Sequence, residues 1–244
     1  MNAKTRLNVL PATTYASVAD HSPMPAIHLE WLDAGAAQRS AAEAFVAEVF
    51  RQSYDAYVQH FLPRFLTLRG ADHDLRAVLG MRHADNTALF LEAYLSSTIE
   101  QHISEASGIE VPRSSIVELG NLASTHRGAL RCIIVALTAY LKNTGPKWVA
   151  FTGTPTVLNA FRRLGLPLYA LAAADKRRLG AAAGQWGRYY DSSPLVVACS
   201  VEEAYDALQQ ALTNERDLLL ACMLWGTALG AGYLGCQRLA SRAP

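Results

Sequence analysis

The stretch IVELGNLASTHRGALRCIIVALTAYLKNTGPKWVAFTGTPTVLNAFRRLGL, residues 116–166, decides the fold. It starts inside a β-prone run, SSIVELGNLA (114–123), followed by the tight connection Ser124-Thr125-His126-Arg127-Gly128. The apolar residues of RGALRCIIVALTAYLKNTG (127–145) then fall at helical spacing, and Gly145 provides the stop. KWVAFTGT (147–154) reads as a second strand. PTVLNAFRRLG (155–165) reads as a second helix, with proline in the first turn, where its missing N–H does no harm. Strand, helix, strand, helix is a crossover unit, and it predicts two neighbouring parallel strands.

Outward from this unit the period changes. Toward the N-terminus, FLTLRG (65–70), LRAVLGMRHA (75–84) and ALFLEAYL (88–95) are short β-prone runs punctuated by Gly70-Ala71-Asp72 and Asp85-Asn86, the pattern of an antiparallel meander. Phe45, Val46, Val49, Phe50, Tyr54 and Tyr57 place a helix before them, within 36–65. SSTIEQHISEAS (96–107) forms a short helix ending at Gly108, LVVAC (195–199) a last strand, and 201–212 a helix. The expected class is α+β: a mixed, mostly antiparallel sheet flanked by helices, with an apolar C-terminal helix.

A chain of 244 residues with 51% hydrophobic and 18% charged residues is long and apolar enough for one large domain with its own core. Net charge is +1 and no basic block exceeds Lys176-Arg177-Arg178, which argues against nucleic-acid binding. Cys132, Cys199, Cys222 and Cys236 contain no C-x-x-C pair and sit among apolar neighbours, as buried reduced thiols do. The histidines lie far apart, and no H-x-x-x-H, G-x-S-x-G or Gly-Lys-Ser/Thr occurs, so no metal site, nucleophile elbow or nucleotide loop is expected.

Three segments follow: a flexible arm over 1–35, interrupted by Pro11, Pro23 and Pro25; a folded domain over 36–212; and a C-terminal apolar helix within 213–244. Residues 1–30 lack the apolar core of a secretory leader, so a cytoplasmic protein is expected. LLLACMLWGTALGAGYLGC (218–236) carries no charge and holds Gly226-x-x-x-Gly230, a spacing that lets helices approach closely. Its length leaves three readings open: contact with an inner membrane, a homodimer seam, or a buried helix.

The connection at 124–128 ends at a helix start, where free N–H groups and the helix dipole favour an anion. Gly128 permits close backbone approach, and Arg127 and Arg131 add charge suited to a phosphate.

With Asn159-Ala160-Phe161-Arg162-Arg163-Leu164-Gly165-Leu166 at the end of the second helix, this arrangement resembles the N-acetyltransferase superfamily. There the glycine-containing loop and helix hold coenzyme A. The loop departs from the superfamily pattern at Thr125 and Leu130, and Phe161 stands where many members have a tyrosine acid. LFLEAYL, IVELGNLAS, WVAFTGTPTVLNAFRRLGL and WGRYYDSSPLVV together resemble the thermostable hemolysin family, over about residues 40–200. That family is similar in turn to acyl-homoserine-lactone synthases and N-acyl amino acid synthases.

The resemblance implies an N-acyltransferase without a permanently bound cofactor. Its co-substrate would be acyl-coenzyme A or an acyl-acyl carrier protein, and its acceptor a small amine or amino acid. The alternative is a membrane-active, haemolysin-like protein without catalysis. The relatives' Glu-x-x-Arg strand is matched at Glu118 but reads Asn121 in place of arginine, so a different acceptor is expected.

Glu118 then becomes the first choice for the base that deprotonates the acceptor amine, with pairing to a nearby arginine as its plain alternative, and His126 the second choice. Backbone N–H groups near Leu122 and Ala123 would polarise the thioester carbonyl. A V-shaped opening is expected between 116–123 and 148–152. Asn159 would face the thioester arm. Asn121, Thr152, Trp186, Tyr189 and Tyr190 would line the substrate pocket, although the aromatic group could equally cover a core edge. Thr154 reads as a helix cap.

Overall fold

The computed structural model describes residues 27–85, 87–126, 128–212, 222, 226–228 and 230. One seven-stranded sheet organises them. In chain order its strands are β1 (His28–Leu32), β2 (Arg64–Arg69), β3 (Leu75–His83), β4 (Ile116–Ser124), β5 (Trp148–Gly153), β6 (Tyr169–Ala173) and β7 (Leu195–Ser200). The spatial order is β1-β2-β3-β4-β5-β7-β6. Only β4 and β5 run parallel, as the crossover predicted, and every other pair is antiparallel.

The helices are α1 (Arg39–Tyr54), α2 (Ile99–Ser107), α3 (Ala129–Thr144), α4 (Pro155–Arg163) and α5 (Val201–Leu212). One face of the sheet packs on α3, α4 and α5, through Leu66, Leu79, Val117, Phe151 and Val197 against Ile133, Leu137, Phe161 and Leu208. The opposite face packs on α1 and α2, through Phe65, Val78, Ile116 and Ala150 against Ala42, Val46, Ile99 and Ile103. Strand side chains alternate between faces, so this division follows from the odd and even positions of each strand.

Four expectations need correction. Residues 88–95 are not a strand. Phe90–Tyr94 is a 3₁₀ turn, because carboxylates take the N–H groups a ladder would need: Glu92 accepts from Leu89 (2.9 Å) and Glu118 from Leu91 (2.9 Å). The first helix stops at Tyr54, where Asp55 adopts a left-handed conformation with φ 55°. β1 falls within the segment assigned to a flexible arm; Leu29 and Leu32 bury against β2 in the register Leu29↔Leu68. β6 was not foreseen, since its alanine-rich YALAA has little intrinsic β preference.

Most of 213–244 lies outside the described residues, as do residues 1–26. Within the apolar run, Cys222, Gly226 and Gly230 are helical and buried. A Cβ on Gly226 would lie 2.0 Å from the Ala136 carbonyl oxygen, and one on Gly230 3.1 Å from that of Tyr140. The small residues thus serve an approach to α3 within the same chain. Among the described residues, no helix is long and apolar enough to cross a membrane.

Candidate functional site

β4 and β5 pair only from Ile116↔Trp148 to Leu119↔Phe151. Beyond that point β4 continues against β3 as far as Ser124, and β5 against β7 as far as Gly153. Their facing edges part, which gives the expected V. A bulge produces the turn-away: Val78 lies opposite Ala123 and Gly80 opposite Gly120, so Leu79 faces two residues, Asn121 and Leu122. Asn121 takes the strain, with φ 49°.

A cavity of about 550 Å³ opens at this gap. Glu118, Thr152, Tyr94 and Trp186 line it from the α1/α2 side of the sheet, and Leu119, Phe151, Val157 and Phe161 from the α3/α4 side. Both faces can contribute because the sheet is open between them.

Glu118 is 3% exposed. Its carboxylate accepts from Arg82 Nε (3.1 Å) and Nη2, and from the backbone N–H groups of Leu91 (2.9 Å) and Phe90 (3.3 Å). It therefore joins β3, β4 and the 3₁₀ turn at one point. The plain alternative, pairing with an arginine, is present in the structure, and it occupies the lone pairs that a base would use.

Two polar groups on the β5 side of the gap lack partners among the described residues. Thr152 Oγ1 and Thr154 Oγ1 are buried with no hydrogen bond to any of them. Thr154 holds the cap position of α4 with extended backbone (φ −68°, ψ 161°), yet its hydroxyl does not cap the helix. An unpaired buried hydroxyl costs about 1–3 kcal/mol, so these two point to a ligand that would satisfy them. Beside them, Tyr189 donates to the Thr152 carbonyl oxygen (3.3 Å), and the hydroxyls of Tyr94 and Tyr190 bond to one another. Burial pushes all three phenols up, so they stay neutral. Trp186 packs against Phe90 and Tyr189, both at 5.5 Å between ring centroids.

Of the residues picked from sequence, Glu118, Asn121, Leu122, Thr152, Trp186, Tyr189 and Tyr190 meet at this cavity. Ala123, Asn159, His126, Gly128 and Arg131 do not line it. Ala123 is buried further along β4. Asn159 lies on α4, where its Oδ1 accepts from Arg162 (3.1 Å) at the surface. His126 is exposed, its Nδ1 beside the Thr125 hydroxyl (2.9 Å). Gly128 caps α3 with φ 83°, and Arg131 stands in that helix's first turn. Arg127 lies outside the described residues.

Sequence reading missed Arg82, Phe90, Tyr94 and His60, all of which line the cavity. Arg82 was recoverable only from the register Arg82↔Glu118. Among the described residues, no cluster of His, Cys, Asp and Glu is able to hold a metal ion.

A mixed sheet with a parallel pair splayed at a bulge, and a helix that starts at Gly128–Ala129 directly after the splayed strand, defines an N-acetyltransferase-like domain. Solved structures agree at the level of fold. The CoA-dependent acyl-homoserine lactone synthase BjaI, solved with SAM and isopentyl-CoA, has a TM-score of 0.52 at 10% identity, covering 82% of this chain and 100% of that one. FeeM, an N-acyl amino acid synthase from uncultured soil microbes, also scores 0.52, at 12% identity over 78% and 99%. The AHL synthase LasI scores 0.50 at 15% identity over 76% and 96%. No curated protein matches by sequence. The thermostable hemolysin family model matches residues 32–205, and the chain belongs to that family.

Proposed function

We propose that this protein is an N-acyltransferase that joins the acyl group of a thioester, carried on coenzyme A or an acyl carrier protein, to a small amine or amino acid. The observation that carries this reading is the cavity through the sheet where β4 and β5 separate. It gives a thioester arriving from the start of α3 and an amine arriving from the opposite face one place to meet.

The phosphate end of the donor would rest near Gly128 and Arg131, at a helix start without a side-chain cap. Its arm would pass the unpaired hydroxyls of Thr152 and Thr154. The β4 edge over Gly120–Ala123 has no strand partner on the β5 side among the described residues, which leaves N–H groups to polarise the thioester carbonyl. Phe90, Trp186 and Tyr189 offer an apolar wall for an acyl chain. Glu118, the only carboxylate among the described walls, orients the acceptor's ammonium.

The test is a thiol-release assay. Long-chain acyl-coenzyme A or acyl-acyl carrier protein is incubated with pooled amino acids and amines, and products are read by mass spectrometry. An N-acylated product is expected. If no thioester binds or turns over in any combination, acyl transfer is not the activity.

A further inference from the structure

We propose that His60 is the base that takes the proton from the acceptor amine; this rests on the acyl-transfer reading above. Asn121 sits one residue beyond Gly120, where β4 leaves β5, in a left-handed conformation. Both ends of its amide hold one segment: Oδ1 accepts from the Leu62 N–H (2.8 Å), and Nδ2 donates to the His60 carbonyl oxygen (3.2 Å). A strained residue at the bulge thus fastens an otherwise irregular segment, 55–62, to the splayed edge of β4. The fastening sets His60 on the cavity wall, at its exposed rim.

The other ionisable groups on the walls are poorly suited to accept a proton. Arg82 of β3 is permanently charged. Glu118 of β4 already receives four N–H donors. Tyr94, Tyr189 and Tyr190 are phenols that burial keeps protonated. Tyr54 and Tyr57, near the end of α1, are phenols too, and as such weak bases near neutrality. His60 is the one imidazole among the described walls, and its ring has no hydrogen bond to the described residues. Imidazole is the side chain that exchanges a proton near neutral pH.

In the step proposed, a lone pair on the His60 ring takes one proton from the acceptor's R–NH₃⁺. The freed amine attacks the thioester carbonyl carbon, a C–N bond forms and the C–S bond breaks. The second nitrogen proton ends on the departing sulfur as thiol, and the imidazolium releases its proton to water at the rim.

The experiment measures kcat/KM against pH for the full chain and for His60→Gln, His60→Ala and Asn121→Ala, with thermal unfolding to confirm that each variant is folded. His60→Gln should lose about 10²- to 10⁴-fold near neutrality. The deficit should narrow as rising pH deprotonates the amine in solution. Added imidazole should restore part of the rate in His60→Ala, since the rim is open to solvent. Asn121→Ala, a positioning change, should lower kcat more than it raises KM. An active wild type with His60→Gln within about threefold and an unchanged pH profile would overturn the assignment of His60 alone. A wild type that turns over no thioester would bring down the acyl-transfer reading with it.

Discussion

The two halves of β4 differ although they belong to one strand. Ile116–Leu119 is bonded to neighbours on both sides and fully buried, whereas Gly120–Ser124 is bonded on one side and mostly half-buried. The first half places a carboxylate in the core, satisfied by an arginine and two backbone N–H groups. The second half carries no charge and leaves its edge open. Firmness and opening are thus built next to each other. The boundary is a single bulged residue, Asn121, whose backbone twists the strand away while its amide holds the segment across the gap.

The largest effect should come from breaking the firm half. Glu118→Ala would leave Arg82 and the N–H groups of Phe90 and Leu91 without their acceptor, at a cost of about 3–5 kcal/mol, readable in urea unfolding. A loss below about 1 kcal/mol would mean that this half does not depend on its carboxylate.

The β5 side of the gap, which the open half leaves unpaired, should respond with opposite sign. Thr152→Val and Thr154→Val each remove a buried hydroxyl without a partner among the described residues. Each should stabilise the ligand-free protein by about 1 kcal/mol, while acyl-coenzyme A binding weakens in titration calorimetry. Stabilisation with binding unchanged would show that these hydroxyls face no ligand.

A smaller, pH-dependent effect concerns the turn that carries Phe90 and Tyr94. The Arg113 guanidinium beside Glu92 holds its carboxyl at about 2, below the ordinary value, and the Leu89 and Ile99 N–H groups add to this. A folded-state value below the unfolded one stabilises fully above the unfolded value, near 4.3. That contribution disappears as pH falls from there through about 2. Glu92→Gln should therefore cost on the order of 1–2 kcal/mol at pH 7, after allowance for solvent screening. It should also flatten acid unfolding across that window, and an unaltered acid profile would refute the linkage. Least of all, Asn159→Ala on the outer face of α4 should shift stability by no more than about 0.5 kcal/mol, as differential scanning calorimetry would show.

The crossover was legible because its signals are local: the helical spacing of α3, Gly145, and Pro155 opening α4. Local signals also drew Glu118, Thr152 and the Trp186–Tyr190 group to one place. What stayed hidden depends on partners distant in sequence. Arg82 meets Glu118 only through strand register. The run 88–95 reads as a strand until carboxylates elsewhere claim its N–H groups. β1 is disguised by the proline-rich residues before it. His60 belongs to no motif, and only the Asn121 amide reveals its position.

Cys132, Ala136 and Tyr140 on α3 lie one helical turn apart, as do Cys222, Gly226 and Gly230. The two series meet in step: the free Cys132 and Cys222 thiols are neighbours, Gly226 abuts Ala136, and Gly230 abuts Tyr140. Two helices so matched run in the same direction, like teeth of one zip. Small residues at Cys222, Gly226 and Gly230 thus encode a spacing between neighbours, and a chain shortened before Cys222 would leave the α3 row of teeth without its counterpart.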